Sequence, residues 1–148
     1  MPQALASVYV HLVFSTKNRH PYFTDPDLRR QLHAYMRETS IRLECPPLAL
    51  NGVADHVHIF ARLGRSTSIA DWTKELKRVS SIWAKPMVPG FAWQSGYGAF
   101  SHSHAEIGMV CEYIRRQEEH HRQVTFQEEF LELLRQHSIE WDERYIWD

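Results

Sequence analysis

The chain is predicted to be an α+β protein with a ferredoxin-like or RRM-like sandwich, a mostly antiparallel sheet with helices packed on it. Segments with two-residue alternation and segments with helical spacing follow one another in the order β-α-β-β-α-β-α-α. An Asn-Gly pair at residues 51–52 joins two of these strands directly. No linker, repeat or low-complexity segment divides the 148 residues, so we expect one domain over residues 1–148.

The first half of the chain supplies three strands and one helix. Residues 8–14 alternate and are rich in β-branched side chains, which predicts the first strand. Asp25-Pro26 places a capping residue before a proline, and apolar residues at helical spacing follow it. Residues 48–50 and 55–61 are predicted to be the second and third strands, paired through a turn at Asn51-Gly52.

Serine and threonine residues that can cap helices mark the second half. They begin three predicted helices, at Ser68, Ser103 and Thr125. Between the first two helices, residues 91–93 and 97–101 are predicted to be two short strands or one bulged strand. The aromatic and charged C-terminal tail is expected to dock on the body of the protein.

Composition restricts the function and the compartment. The net charge of −1 excludes a polycation, so any contact with nucleic acid must come from a local basic patch. Cys45 and Cys111 lack CxxC spacing and are expected to be free thiols. No signal peptide precedes the first strand, and no apolar run approaches the roughly 20 residues of a membrane span. We therefore expect a cytoplasmic protein without membrane association.

The third strand carries two histidines, His56 and His58. Side chains alternate along a strand, so both imidazoles should point to one face and Val57 to the other. Two imidazoles on one face can hold a metal ion, but they can also be satisfied by hydrogen bonds in the core. Asp55 either orients the first imidazole through a hydrogen bond or is a turn residue.

The predicted helix from Ser103 to about Arg122 carries a second polar cluster. Tyr113 and Gln117 lie one turn apart beside its apolar stripe. On their own they fit a border tyrosine with a solvated amide. With the histidine pair, they fit a site in which two imidazoles and an amide oxygen hold a divalent ion and a phenol attacks a phosphodiester.

Basic residues near these elements are candidate phosphate contacts, although a solvated surface explains each of them equally well. They are Lys17 and Arg19 after the first strand, Lys74, Lys77 and Arg78 on the second helix, and Arg115 and Arg116 beside Tyr113. His120 and His121 either approach the site or, as the favoured alternative, lie at the surface or at a helix end.

Taken together, these motifs resemble a known family. His56-Val57-His58 is similar to the HUH motif, a histidine pair around a hydrophobic residue. Residues 113–121 resemble the tyrosine helix of the single-tyrosine HUH transposases of the insertion sequence 200/605 group. Further segments agree with that family in order and spacing, at residues 11–19, 96–100, 126–130 and 142–145.

The resemblance implies a transposase that cuts and rejoins single-stranded DNA, with one HUH endonuclease domain over residues 1–148. In that family the tyrosine forms a 5′-phosphotyrosine, and two histidines and a glutamine hold Mg²⁺ or Mn²⁺. Carried over to this chain, the nucleophile is Tyr113 and the ligands are His56, His58 and Gln117. The family works as a homodimer and recognises DNA hairpins at the ends of its elements.

Two other functions stay open. A domesticated or non-catalytic protein on the same scaffold would bind DNA hairpins, but a pure binder has no need of all four site residues. A hydrolytic zinc enzyme is the other alternative. Hydrolytic zinc sites favour three histidines, or histidine with carboxylate, and a glutamine ligand argues against zinc.

Overall fold

Four antiparallel strands form one sheet in the computed structural model, which describes residues 2–148. They are β1 (Tyr9–Ser15), β2 (Pro47–Gly52), β3 (His56–Arg62) and β4 (Gly98–His102). Their order in the sheet is β2-β3-β1-β4, with every neighbouring pair antiparallel. This order belongs to a ferredoxin-like sandwich, so the predicted fold class is confirmed.

Five α-helices formed by residues 2–148 pack on the sheet. They are α1 (Pro26–Arg42), α2 (Ile69–Ala84), α3 (Ile107–Arg115), α4 (Gln117–His120) and α5 (Phe126–Gln136). Three of them begin at predicted caps, because the side chains of Asp25, Ser68 and Thr125 accept hydrogen bonds from backbone N–H groups in the first turn. Ser103 and Glu106 form a capping box at a short 3₁₀ helix that leads into α3.

The two faces of the sheet are covered by different helices. Val57 and Ile59 of β3 belong to the main core, which includes Trp72 of α2 and residues of α1. Phe60 points the other way and packs against Ile114 of α3. The alternation therefore places the histidines of β3 on the face under α3, α4 and α5, as predicted.

Two local predictions are wrong. Asn51 and Gly52 form no turn, because they pair with His58 and Val57 as part of β2, and the chain reverses one step later. Residues 91–93 form no regular strand, since Trp93 makes only an isolated bridge with Thr16. Gly52 instead allows β2 to approach β3 closely, because a Cβ there would collide with the backbone of β3.

The long helix predicted from Ser103 to about Arg122 is interrupted. Arg116 has φ −91° and ψ 18°, which separates α3 from α4. Beyond this break the Gln117 side chain is fully buried, whereas Tyr113 keeps one side toward solvent. Gln117 keeps the helical spacing of the buried residues Val110 and Ile114, so its amide is buried and not at the border of the apolar stripe.

The C-terminal tail docks on the body, as predicted. Trp141, Ile146 and Trp147 pack against the apolar cluster built by α5. The Arg19 guanidinium donates a hydrogen bond to the Trp147 carbonyl at 3.0 Å and lies 5.6 Å from the centre of its ring. The Gly96 N–H donates to the Asp148 carbonyl at 2.9 Å.

The two cysteines agree with the expectation from the sequence. Cys45 and Cys111 are free thiols. None of the helices formed by residues 2–148 is both long enough and apolar enough to cross a membrane.

Gly98 sets the distance between β4 and α5. A Cβ at this position would lie 2.6 Å from Cε1 of Phe130, which is itself buried and has little room to move. We expect Gly98→Ala to lower the free energy of unfolding by about 1–3 kcal/mol through overpacking, measured by urea denaturation. Gly96→Ala is the matched control, because its nearest Cβ contact would be an ordinary 3.5 Å. Equal stability of the two variants would show that the contact between Gly98 and Phe130 does not limit the distance between β4 and α5.

Candidate active site

The histidine pair lies at the bottom of a buried polar cluster. His56 and His58 are 3% and 0% exposed, and their ring centres are 5.1 Å apart. The polar side chains that face them come from α3, α4, α5 and the turn between α4 and α5. Such a concentration of buried polar groups is uncommon in a domain core and marks a candidate functional site.

Glu129 of α5 occupies the centre of this cluster and is 3% exposed. Its Oε1 atom lies 3.0 Å from His58 Nε2, 3.1 Å from His121 Nε2 and 3.4 Å from His56 Nε2. Burial alone would raise the pKa of Glu129, but the three imidazoles lower it well below its ordinary range. The carboxylate is therefore ionised at neutral pH.

The other carboxylate oxygen of Glu129 accepts a hydrogen bond from the Tyr113 hydroxyl. Burial raises the pKa of Tyr113 well above its ordinary range, and the negative charge of Glu129 raises it further. The phenol is thus protonated at neutral pH, and it already has a hydrogen-bond acceptor in contact with its proton.

Gln117 connects the same groups. Its side-chain nitrogen donates to Glu129 Oε2 at 3.0 Å, and its side-chain oxygen lies 3.2 Å from His56 Nε2. The structure therefore brings together the four residues predicted from the sequence, His56, His58, Tyr113 and Gln117. The amide orientation leaves the Gln117 oxygen facing the imidazole.

Asp55 contacts the first histidine directly. Its Oδ1 atom lies 2.7 Å from His56 Nδ1. Burial would lower the pKa of His56, but the hydrogen bonds with Asp55 and Glu129 raise it to about 9. Burial also lowers the pKa of His58, and the negative charge of Glu129 offsets this lowering only in part. The two imidazoles of the pair therefore differ electrostatically although they share a strand face.

Sequence reasoning missed two members of the cluster. His121 lies at the end of α4, as favoured, but its ring also packs 4.4 Å from that of His56, which makes it part of the cluster. Glu129 was not singled out at all. A signal was present, because Glu129 falls on the apolar face of α5 with Phe126 and Phe130, where a carboxylate requires partners.

A cleft of about 430 Å³ opens beside the phenol and connects this cluster to solvent. His120 lies at this cleft with its ring 5.6 Å from that of Tyr113. The cleft is lined by Tyr113, Arg116, Glu119, His120, Gln123 and Val124. An elongated ligand in this cleft would meet the phenol before the histidines.

Five of the predicted basic contacts lie at the surface. Lys17 and Lys74 are exposed. Arg78 pairs with Glu75, and both Arg115 and Arg116 pair with Glu112, while all three guanidiniums stay more than half exposed. Exposed ion pairs are weak, so these arginines can exchange their partner for a phosphate.

Lys77 and Arg19 are engaged within the protein. The Lys77 ammonium donates to the carbonyl oxygens of residues 94, 95 and 96 at 2.8–3.2 Å. Burial lowers its pKa to about 8. Arg19 holds the C-terminal tail. Both side chains therefore have structural roles here, which removes the basis for proposing them as phosphate contacts.

The comparisons with known proteins agree with this architecture. The family model described as "Transposase IS200 like" matches residues 4–117, and the chain belongs to this family of transposases. A comparison with curated proteins gives no match.

Two solved structures share the fold. One is a Deinococcus radiodurans R1 protein provisionally assigned as a transposase, with a TM-score of 0.61, 22% identity, and coverage of 79% of this chain and 95% of that one. The other is a REP-associated tyrosine transposase bound to a REP hairpin. Its TM-score is 0.63 at 12% identity, with coverage of 84% of this chain and 74% of that one.

Proposed function

We propose that this transposase cleaves and rejoins single-stranded DNA with Tyr113 as the nucleophile, in the transposition of a small insertion sequence. The observation that carries the proposal is the position of the phenol. It lies at a solvent-accessible cleft and is linked through Glu129 to the buried histidine pair. A tyrosine with only a packing role would have no need of this connection.

The donor atoms of the cluster fit a divalent ion, which we propose to be Mg²⁺ or Mn²⁺. His56 Nε2 and the Gln117 side-chain oxygen are 3.2 Å apart. Two ligands bound at about 2.1 Å to one ion have a separation of about 3 Å. His58 supplies a further nitrogen on the same strand face. When bound, such an ion withdraws charge from a phosphate and stabilises the leaving oxygen.

The chemical step uses groups that are already in contact. The phenol oxygen of Tyr113 attacks phosphorus, and its proton passes to Glu129 Oε2, which already accepts the hydrogen bond. The bond from phosphorus to the 3′-oxygen breaks, and the departing oxygen takes a proton from water to become a 3′-hydroxyl. The DNA is left attached to Tyr113 as a 5′-phosphotyrosine. Attack by a 3′-hydroxyl on that ester reverses the step, rejoins DNA and frees the phenol without ATP.

We propose single-stranded DNA with hairpin ends as the substrate. The relative bound to a REP hairpin supports this choice. Phosphate contacts would come from exposed basic residues. Arg116 lines the cleft and Arg115 precedes it, Lys74 and Arg78 lie on α2, and Lys17 follows β1. Perfect duplex of the same sequence should bind poorly, because such a surface binds unpaired bases and loops.

His56→Ala tests the assignment of the histidine pair. We expect it to slow cleavage of a labelled hairpin substrate by at least about 100-fold while leaving hairpin binding in a mobility-shift assay unchanged. His20→Ala, at an exposed histidine outside the cluster, is the control. A His56→Ala variant that cuts DNA at the normal rate would refute the assignment. Wild type that binds hairpins but never cuts them would favour the non-catalytic binder.

We also propose that the protein acts as a homodimer whose interface includes a sheet edge. β4 pairs with β1 on one side, and no strand formed by residues 2–148 covers its other side. Open edges are available for pairing with a second chain. Light scattering at micromolar concentration, with DNA bound, should give the mass of the DNA plus twice the chain mass of 17.5 kDa. A monomer under those conditions would rule the dimer out.

A further inference from the structure

We propose that His121 and Glu129 are ligands of the ion together with His56 and His58, so that three imidazoles and one carboxylate hold it. This inference rests on the proposed function for the presence of an ion. It adds two ligands, both beyond the residues 4–117 that the family model matches.

The first argument is convergence. One nitrogen from each of the three imidazoles and one oxygen of Glu129 lie within 4.8 Å of one another. The oxygen is 3.0–3.4 Å from each of the three nitrogens. These oxygen-to-nitrogen separations match those of ligands that share one ion at about 2.1 Å.

The second argument is that Nδ1, the ring nitrogen that points away from the cluster, fixes the orientation of each imidazole. His121 Nδ1 lies 2.8 Å from the Val124 carbonyl oxygen, which can only accept, so Nδ1 carries the proton. His56 Nδ1 is held in the same way by Asp55. With its proton on Nδ1 alone, each ring directs the lone pair of Nε2 into the cluster, as metal-bound histidines do, and a bound ion would displace any proton that Nε2 carries.

His58 follows the same pattern, with a partner on the neighbouring strand β1. Its Nδ1 lies 2.7 Å from Nε2 of His11, a buried histidine on β1. With a proton on His58 Nδ1, the His11 nitrogen is the acceptor and His58 Nε2 is free to bind an ion. His11 is thereby a positioning residue for the third imidazole.

The third argument is an unsatisfied atom. His121 Nε2 is buried and has no hydrogen-bond partner among residues 2–148, although it lies 3.1 Å from Glu129 Oε1. A lone pair aimed at a carboxylate is unfavourable unless a proton or a cation lies between them. A divalent ion at the centre would satisfy both groups and would displace protons from the cluster.

This ligand set determines the class of ion. Three imidazoles with one carboxylate are the ligands that Zn²⁺ favours. Mn²⁺ accepts nitrogen ligands more readily than Mg²⁺, which prefers oxygen ligands and bound water. The Gln117 oxygen remains as a weaker additional donor near His56. We therefore expect Mn²⁺ to bind at least about 100-fold more tightly than Mg²⁺.

The test is a titration of the full chain with Mn²⁺ and Mg²⁺ in a calorimeter, without DNA. His121→Ala and Glu129→Gln should each weaken Mn²⁺ binding at least about 10-fold. Glu132→Gln should not, because this carboxylate lies one turn along α5 and is 59% exposed. Circular dichroism establishes that each variant is folded.

The wild-type protein supplies a second measurement in case a variant does not fold. X-ray absorption of the Mn²⁺ or Zn²⁺ complex should give three imidazole ligands. Two imidazoles, unchanged Mn²⁺ affinity in both folded variants, or no binding by wild type would overturn the proposal. Because no DNA is present, these results are independent of whether Tyr113 attacks phosphorus.

Discussion

Replacing Tyr113 by phenylalanine is expected to abolish the covalent protein–DNA adduct while leaving fold and DNA binding intact. The substitution keeps the ring, which packs near His58 and His120, and removes only the oxygen that would attack phosphorus. Cleavage of a labelled hairpin substrate with Mn²⁺ should fall at least about a thousand-fold. A denaturing gel reports the adduct, and a mobility-shift assay reports binding.

Tyr35→Phe is the matched control for this experiment. Tyr35 is a half-exposed tyrosine on α1 that stacks on Trp83, on the other face of the sheet. It should form the adduct at the wild-type rate. If Tyr113→Phe still formed the adduct, another residue would be the nucleophile. If wild type cut DNA without any shifted protein band, the reaction would be hydrolysis.

Glu129→Ala is expected to lower the free energy of unfolding by about 3–5 kcal/mol in the presence of EDTA. The reason is that Glu129 is the common partner of the three imidazoles and the Tyr113 hydroxyl. With a pKa raised to about 9, His56 is charged at neutral pH and would be left buried beside Asp55 alone. Urea denaturation at pH 7 measures the change.

The pH dependence of this loss gives an independent check. The ordinary pKa of histidine is about 6.5, so the stability that His56 gains from its partners is fully present below that pH. It disappears as the pH rises through about 9. The difference between wild type and Glu129→Ala should therefore shrink at high pH. Glu132→Ala, at an exposed position, should change the free energy of unfolding little at any pH. An equal loss of free energy of unfolding in the two variants would contradict the central role of Glu129.

The positions of His56 and His58 could be predicted because they depend on local geometry. Alternation along a strand is fixed by the backbone, so two histidines separated by one residue must share a face. Tyr113 could be placed on its helix for the same kind of reason. Gln117 lies seven residues after Val110 and three after Ile114, both buried residues of α3, so its burial follows the helical period although α3 ends at Arg115.

His121 and Glu129 were missed because their positions are set by tertiary structure. His121 follows α4, and the turn back into α5 brings both residues over β3. Periodicity describes one helix at a time and does not report how two helices meet. The spacing of α5 nevertheless places Glu129 on its apolar face, where a carboxylate requires partners.

Lys77 illustrates a limit of reading charge from sequence. Basic residues on a helix flank are typical phosphate contacts, and nothing local distinguishes Lys77 from Lys74. The difference arises from the loop before β4, whose carbonyl groups surround the Lys77 ammonium. Only the packing of that loop on α2 shows which lysine is available.

The most direct test of the central claim is to map the covalent bond. Wild-type protein is incubated with a single-stranded hairpin substrate and Mn²⁺, denatured and digested, and the peptide that carries nucleotide is sequenced by mass spectrometry. The account predicts a phosphate ester on the Tyr113 oxygen, with the DNA attached through its 5′ end. Nucleotide on any other residue, attachment through a 3′ end, or cleaved DNA with no modified peptide would contradict it.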